Sequence, residues 1–150
     1  MANPESVAQF YLDGFGQARI GIAQGVTLNT AANAVVAIPL LGGGMTAGGA
    51  VANSGGVIIR RVTVMNPSGT VAGANVSITT SNDGNISNAV VGNTVLSSVS
   101  GTGKFQDLAI TGGNVVVSGF TTQALYVNVN NIAANTNTVD FRVYGDVITF

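Results

Sequence analysis

Apolar and polar residues alternate along much of this chain, most clearly in ALYVNVN-NIAANTN-TVDFRVYG, from Ala124 to Gly145. Leu125, Val127 and Val129 alternate with Tyr126, Asn128 and Asn130, and Val139, Phe141 and Val143 alternate with Asp140, Arg142 and Tyr144. A period of two places each set on its own face of a sheet. With Asn131 to Asn137 as the loop, a hairpin sets Val129 opposite Val139, Val127 opposite Phe141 and Leu125 opposite Val143. Its other face sets Asn128 against Asp140 and Tyr126 against Arg142, the second as a cation–π pair. A slip of one residue would pair apolar with polar positions along the whole ladder, so the pattern selects this register.

The same reading extends upstream. Ala18, Ile20 and Ile22 alternate with Arg19, Gly21 and Ala23, a strand. A second runs from Ala34 to Ile38, with Pro39 at its end. GGGMTAGGAVANSGG, Gly42 to Gly56, reads as a long loop. Val57 to Asn66 is a strand in which Ile58, Arg60, Val62 and Val64 share the core face. Arg60 there needs the sheet rim or a partner, because an unpaired buried charge is costly. Ala74, Val76 and Ile78 mark another strand, and Asp83-Gly84 is a favoured hairpin pair. Further strands are expected at Asn88 to Val91, Thr94 to Val99, Lys104 to Ile110 and Val115 to Ser118. The last strand continues through Val147 and Thr149. Roughly eight to ten short strands with Gly, Asn and Pro between them predict an all-β fold, an antiparallel β-sandwich or jelly roll.

The first 17 residues stand apart. Asn3-Pro4-Glu5 suits a helix start, and Val7, Phe10 and Tyr11 fall on one helical face, with Gly14 as a stop. Ten residues are also short enough to be an extended arm. The expected organisation is thus an N-terminal arm or short helix over 1–17 and one sandwich domain over 18–150. Phe10, Tyr11 and Phe15 come from a total of only six Phe and three Tyr. They either cap the domain's own core or dock the arm on a neighbouring subunit.

Composition sharpens this picture. Hydrophobic residues make up 46% of the 150, which is ordinary, but charged residues make up only 7% and the net charge is −1. Soluble domains carry about 25% charge. A surface so poor in charge is weakly protected against association, which favours protein-to-protein contact in an assembly. Lysine-poor strand edges would be unguarded as well. The five cations, Arg19, Arg60, Arg61, Lys104 and Arg142, form no run in sequence and are not interleaved with aromatics. No nucleic-acid partner is expected on that pattern. Gly, Asn and Pro39 interrupt every apolar run before about 18 residues, so no membrane span is expected. No basic segment precedes an apolar run at the start, so no secretory signal is expected either.

The chain has no His, Cys or Trp. Ser-His-Asp and Cys-His nucleophilic sites and His- or Cys-ligated metals are therefore excluded. A glycosidase needs two carboxyls flanking a cleft. Asp140 and Asp146 share a strand face but lie roughly 20 Å apart at strand rise. Asn82-Asp83-Gly84-Asn85 lacks the spaced acids and closing Glu of a calcium loop. Gly101-Thr102-Gly103-Lys104 lacks the glycine spacing and following helix of a phosphate loop. Both read as turns. The expectation is a non-enzyme with no cofactor.

VIIRRVTVMNPSG, ANVSITTSNDGN and ALYVNVN with VDFRVYGDVIT, together with the Asn, Thr, Val and Gly richness and the N-terminal arm, resemble the small jelly-roll decoration, or cement, proteins of tailed-phage capsids. The resemblance covers about the last two-thirds of the chain. It implies a structural virion protein on the outer surface of the capsid, made in the host cytoplasm. It implies binding between neighbouring subunits of the major capsid protein and self-association as a homotrimer. Contact residues expected under it are Phe10, Tyr11, Phe15, Arg19, Arg60 and Arg61. Two other readings stay open. One is a carbohydrate- or receptor-binding sandwich using Tyr126, Asn128, Asp140 and Tyr144. The other is a repeating subunit of a tail or surface layer.

Overall fold

β-Branched alternation gives strands where one face can be buried, and nine form among the described residues. The computed structural model describes residues 18–40, 55–111, 116–118 and 124–149. The strands are β1 (Ala18–Thr27), β2 (Ala32–Pro39), β3 (Gly55–Met65), β4 (Asn75–Thr79), β5 (Ala89–Val95), β6 (Gln106–Leu108), β7 (Val116–Ser118), β8 (Ala124–Asn131) and β9 (Thr138–Thr149). One 3-10 turn, Ile86–Asn88, precedes β5. All pairings are antiparallel. The first sheet runs β1-β9-β3-β6, with β7 also pairing β3, and the second runs β2-β8-β4-β5. β6 pairs Val62 to Val64 of β3, and β7 pairs Gly56 to Ile58, so they act as one interrupted strand. Counted so, two four-stranded antiparallel sheets pack as a β-sandwich, as the sequence pattern predicts.

The two inner faces interdigitate. Val62, Val64, Phe141 and Val143 of the first sheet meet Val76, Ile78, Leu125 and Val127 of the second, and all eight are fully buried. Each such side chain contributes about 1.5–3 kcal/mol by leaving water. One end of the sandwich is closed by Leu28, Val71, Leu96 and Val99, which are equally inaccessible. Backbone bonds from Val71 N–H to the Val99 carbonyl and from Ala133 N–H to the Leu28 carbonyl hold these plugs in place.

The closing hairpin is not formed. β8 lies between β2 and β4, and β9 lies between β1 and β3, in opposite sheets. Residues 132–137 are an arch over the end of the core, with Ala134 at φ 57°. Leu125, Val127 and Val129 do bury with Val139, Phe141 and Val143, but across the sandwich rather than side by side. The predicted pairs Asn128–Asp140 and Tyr126–Arg142 are therefore separated onto the two outer faces. Periodicity of two identifies the buried face but not the neighbouring strand, because both arrangements bury the same residues.

Three boundaries also shift. Gly55 and Gly56 are strand, not loop, while 42–54 lie outside the described residues. The segments expected at Asn88 to Val91 and Thr94 to Val99 include one continuous strand, β5, in which Gly92 sits at a register shift rather than a break. Beyond it, Leu96 to Val99 form a turn closed by the Val99 N–H to Leu96 carbonyl bond. The Asp83-Gly84 pair does not close a tight hairpin. It lies in a longer connection in which Gly84 takes φ +70°.

The strand edges are joined at single points. Gly21 of β1 bridges Leu40 just beyond β2, joining the two sheets along one side. Along the other, Val91 bridges Ile110, Thr111 N–H donates to the Val90 carbonyl, and Gln106 Nε2 donates to the Val95 carbonyl. At these points, edge groups that would template another chain are used within the fold.

Candidate functional site

The first sheet's outer face gathers residues that are far apart in sequence. β9 is its central strand, and Tyr144 is paired on one side with Arg19 of β1 and on the other with Arg61 of β3. Directly opposed residues share a face, so two arginines flank one ring. The Arg61 guanidinium carbon lies 4.4 Å from the Tyr144 ring centroid. One row along the sheet, Arg142 lies between Ile22 and Thr63. The Arg142 Nε atom is buried without a hydrogen-bond partner.

Arg60 departs from its predicted face. A β-bulge between Ile59 and Arg61 shifts the register, so Ile59 enters the core at 2% exposure while Ile58 turns outward. Arg60 is exposed, and it finds its partner in Asp146, Nη2 to Oδ2 at 2.8 Å and Nε to Oδ2 at 2.9 Å. Both side chains are about half exposed, so the pair adds little stability. Its value is to hold the bulge residue on the same side as Arg61.

The acids of this face are engaged. Asp140, 8% exposed, accepts from Gly25 N–H at 3.0 Å and from Asn66 Nδ2 at 2.8 Å. Asp107 accepts a short hydrogen bond from the Thr63 hydroxyl. The face thus holds Arg19, Arg60, Arg61 and Arg142 with Asp107, Asp140 and Asp146, four of the chain's five cations and three of its six acids. Between them lie Ile22, Ile58 and Met65, all half-buried. Arg, Tyr and Met are types enriched at contact surfaces, while the three Asp on this face are of a depleted type and are engaged within the fold.

The second sheet's outer face is different. Ser77, Thr79 and Asn128 are nearly inaccessible although they point away from the core. Asn128 Oδ1 accepts from Ala34 N–H at 2.8 Å, and its Nδ2 donates to Thr79 Oγ1 at 3.0 Å. Asn33 Nδ2 donates to the Asp83 carbonyl at 2.9 Å, which carries the β4–β5 connection back over this face to β2. Farther out, Asn130 Nδ2 donates to Asn93 Oδ1 at 2.7 Å and to Ser77 Oγ at 3.2 Å. These amides bond to backbone groups and hydroxyls of neighbouring strands, and in one case to another amide.

The structure places Arg19, Arg60 and Arg61 on one outer face with Arg142 and Tyr144, whereas strict alternation along β3 would set Arg60 and Arg61 on opposite faces; the bulge after Ile59 makes the difference. Phe10, Tyr11 and Phe15 lie outside the described residues. The set Tyr126, Asn128, Asp140 and Tyr144 is divided between the two outer faces, with Asn128 and Asp140 buried, so no shared sugar platform forms from it. Among the described residues, no three acids converge as a metal site. Gly101 to Lys104 is a turn, closed by the Lys104 N–H to Gly101 carbonyl bond at 3.2 Å. No protein-family model, no curated protein and no solved structure matches the chain. The reading of this face rests on its own geometry.

Proposed function

We propose that the protein is a structural virion subunit that decorates a phage capsid, binding between neighbouring major capsid protein subunits and acting through contact area rather than chemistry. The observation that carries this reading is the sorting of the chain's few charges. Four of five cations gather with Tyr144, Ile22, Ile58 and Met65 on one sheet face, while the other sheet's outward polar groups bond within that sheet. A chain with only 7% charged residues has a surface weakly protected against association, and this face adds Arg, Tyr and Met, types enriched where proteins meet.

Native mass spectrometry and cosedimentation test the proposal. The expected result is a stable homotrimer that pellets with assembled shells and not with isolated capsid subunits. A monodisperse monomer with no affinity for shells overturns it.

A further inference from the structure

We infer that the homotrimer is a head-to-tail ring, in which the Lys104–Phe105 corner of one copy seats on the Asp83–Ile86 corner of the next. The inference rests on the self-association in the reading above and adds the surfaces that meet.

Lys104 and Asp83 are the two charged residues among the described ones that lie off the first sheet's outer face. They are opposite in sign, both are exposed, and neither has a salt-bridge partner among the described residues. The Ser81 hydroxyl and Asn85 N–H both donate to Asp83 Oδ1, which leaves Oδ2 for a cation.

Apolar exposure coincides with these two charges. Phe105, next to Lys104, is 61% exposed, and Ile86, three residues from Asp83, is 58% exposed. They are the two most exposed of the large hydrophobic side chains among the described residues. Each corner thus joins one charge to one apolar anchor, and the charges are complementary. The anchors supply area on contact, while the charge pair selects partner and register.

The corners sit on opposite flanks of the sandwich. Asn33 Nδ2 of β2 donates to the Asp83 carbonyl at 2.9 Å, which sets Asp83 beside an edge strand of the second sheet. Lys104 and Phe105 lead into β6, at the far edge of the first sheet. Gly21 and Leu40 join the β1–β2 flank, and Gln106 and Val95 join the β5–β6 flank. A width of four strands, about 14 Å at strand spacing, keeps one chain from bringing its own corners together. Complementary patches at separate places on one surface make a heterologous contact, which forms a ring when the rotation closes.

Both corners are set before contact. Thr80 N–H donates to the Asn88 carbonyl and Asn88 Nδ2 to Ser81 Oγ, each at 3.0 Å, which ties the base of the Asp83 connection. Lys104 N–H closes its own turn on the Gly101 carbonyl. The Gln106 side chain, next to Phe105, bonds Ser98 N–H and the Val95 carbonyl. Surfaces fixed in this way lose little freedom on association.

Native mass spectrometry and sedimentation equilibrium of the full chain test the ring. Lys104→Glu sets two acids at each contact and is expected to weaken trimer formation at least about tenfold, and Asp83→Lys likewise. The double reversal restores an opposite pair and is expected to return to within about threefold of the unaltered chain. A variant that merely misfolds cannot recover in that way. The chain has no Cys, so cross-linking can be placed at will. Phe105→Cys with Ile86→Cys is expected to give trimers linked by a short bis-maleimide, and each single-cysteine variant is expected to stay unlinked. The inference is overturned by a monomeric unaltered chain, by a trimer indifferent to both single reversals, or by a double reversal no better than the singles. Absence of linked trimers in the double-cysteine variant, or linkage in a single one, overturns it as well. Trimers that follow the reversals but do not pellet with shells would remove the decoration reading and leave this one. Shell binding by trimers that ignore the reversals would do the reverse.

Discussion

Arg61 stacks over the ring of Tyr144 at 4.4 Å, and the two residues face each other across β3 and β9. Tyr144 is only 8% exposed, so the pair is largely shielded and lies toward the upper end of the cation–π range, about 1–2 kcal/mol. Tyr144→Phe keeps the π face and should shift stability by about 0.5 kcal/mol at most. Tyr144→Leu should cost at least about 1 kcal/mol. Combined with Arg61→Met in a double-mutant cycle, it should show coupling of about 1 kcal/mol in urea unfolding. Zero coupling would mean the stack is only proximity.

Gly145 is a position where the first sheet tolerates no side chain. It sits on β9 between Ala18 and Ile59. A Cβ there would collide with the Ile58 carbonyl oxygen and lie 3.1 Å from Ile20 Cδ1. Backbone cannot yield as a flexible side chain can, so Gly145→Ala should destabilise by about 3 kcal/mol or more, or prevent folding. Gly73 has nothing within 4 Å of a built Cβ. Gly73→Ala should be neutral or stabilise by up to about 1 kcal/mol through the unfolded chain. Thermal melts of the two variants decide this, and similar melting temperatures would refute the packing account.

Several of these features were legible in the sequence, and the exceptions share a cause. Leu125, Val127, Phe141 and Val143 could be assigned to the core because burial on a strand has a period of two. Which strand lies beside which could not, because Val129 and Val139 bury equally well as neighbours or across the core. Arg60 illustrates the second limit. A bulge of one residue exchanges faces from that point on, and nothing in VIIRRVTV marks where it falls. Bulge and topology together hid the site, since Arg19, Arg61 and Arg142 converge only once β1, β9 and β3 are known to be adjacent. The one available signal was the scarcity of charge, which made each arginine worth placing.

The turn before β5 gives a pH dependence. The Asp83 carboxylate accepts from the Ser81 hydroxyl and from Asn85 N–H at 2.9 Å, which lowers its pKa below the ordinary aspartate value. The group binds its proton less readily folded than unfolded. Its contribution to stability is therefore present above the unfolded pKa of about 3.9 and is lost as pH falls through the folded value. Carboxyl chemical shifts should give Asp83 a titration midpoint below 3.9. Asp83→Asn should flatten the acid limb of the stability curve by lowering the neutral plateau, with stability below the folded pKa nearly unchanged. A midpoint at or above the unfolded value would contradict the hydrogen-bonding account.

Asn128 carries the heaviest polar load of the second sheet, and replacing its amide by a carboxylate tests how that load is held. At 1% exposure its Oδ1 receives the Ala34 N–H, and its Nδ2 donates to Thr79 Oγ1. Thr79 Oγ1 already donates to the Ser81 carbonyl at 2.7 Å, so it has no proton to offer a second acceptor. Asn128→Asp keeps shape and the bond from Ala34, but sets a carboxylate oxygen against the lone pairs of Thr79 in a site without a cation. Burial and the missing donor should raise the pKa of the new acid above its unfolded value. A raised folded pKa makes the penalty largest at high pH and relieves it as pH falls and the carboxyl becomes a donor to Thr79. Asn128→Asp should thus cost about 2–4 kcal/mol near neutral pH and clearly less near pH 4. Ala34, held at φ 50°, should lose amide protection in step with that cost. Urea unfolding with amide exchange at the two pH values provides the check. A pH-independent loss would show that the defect is one of packing and not of charge.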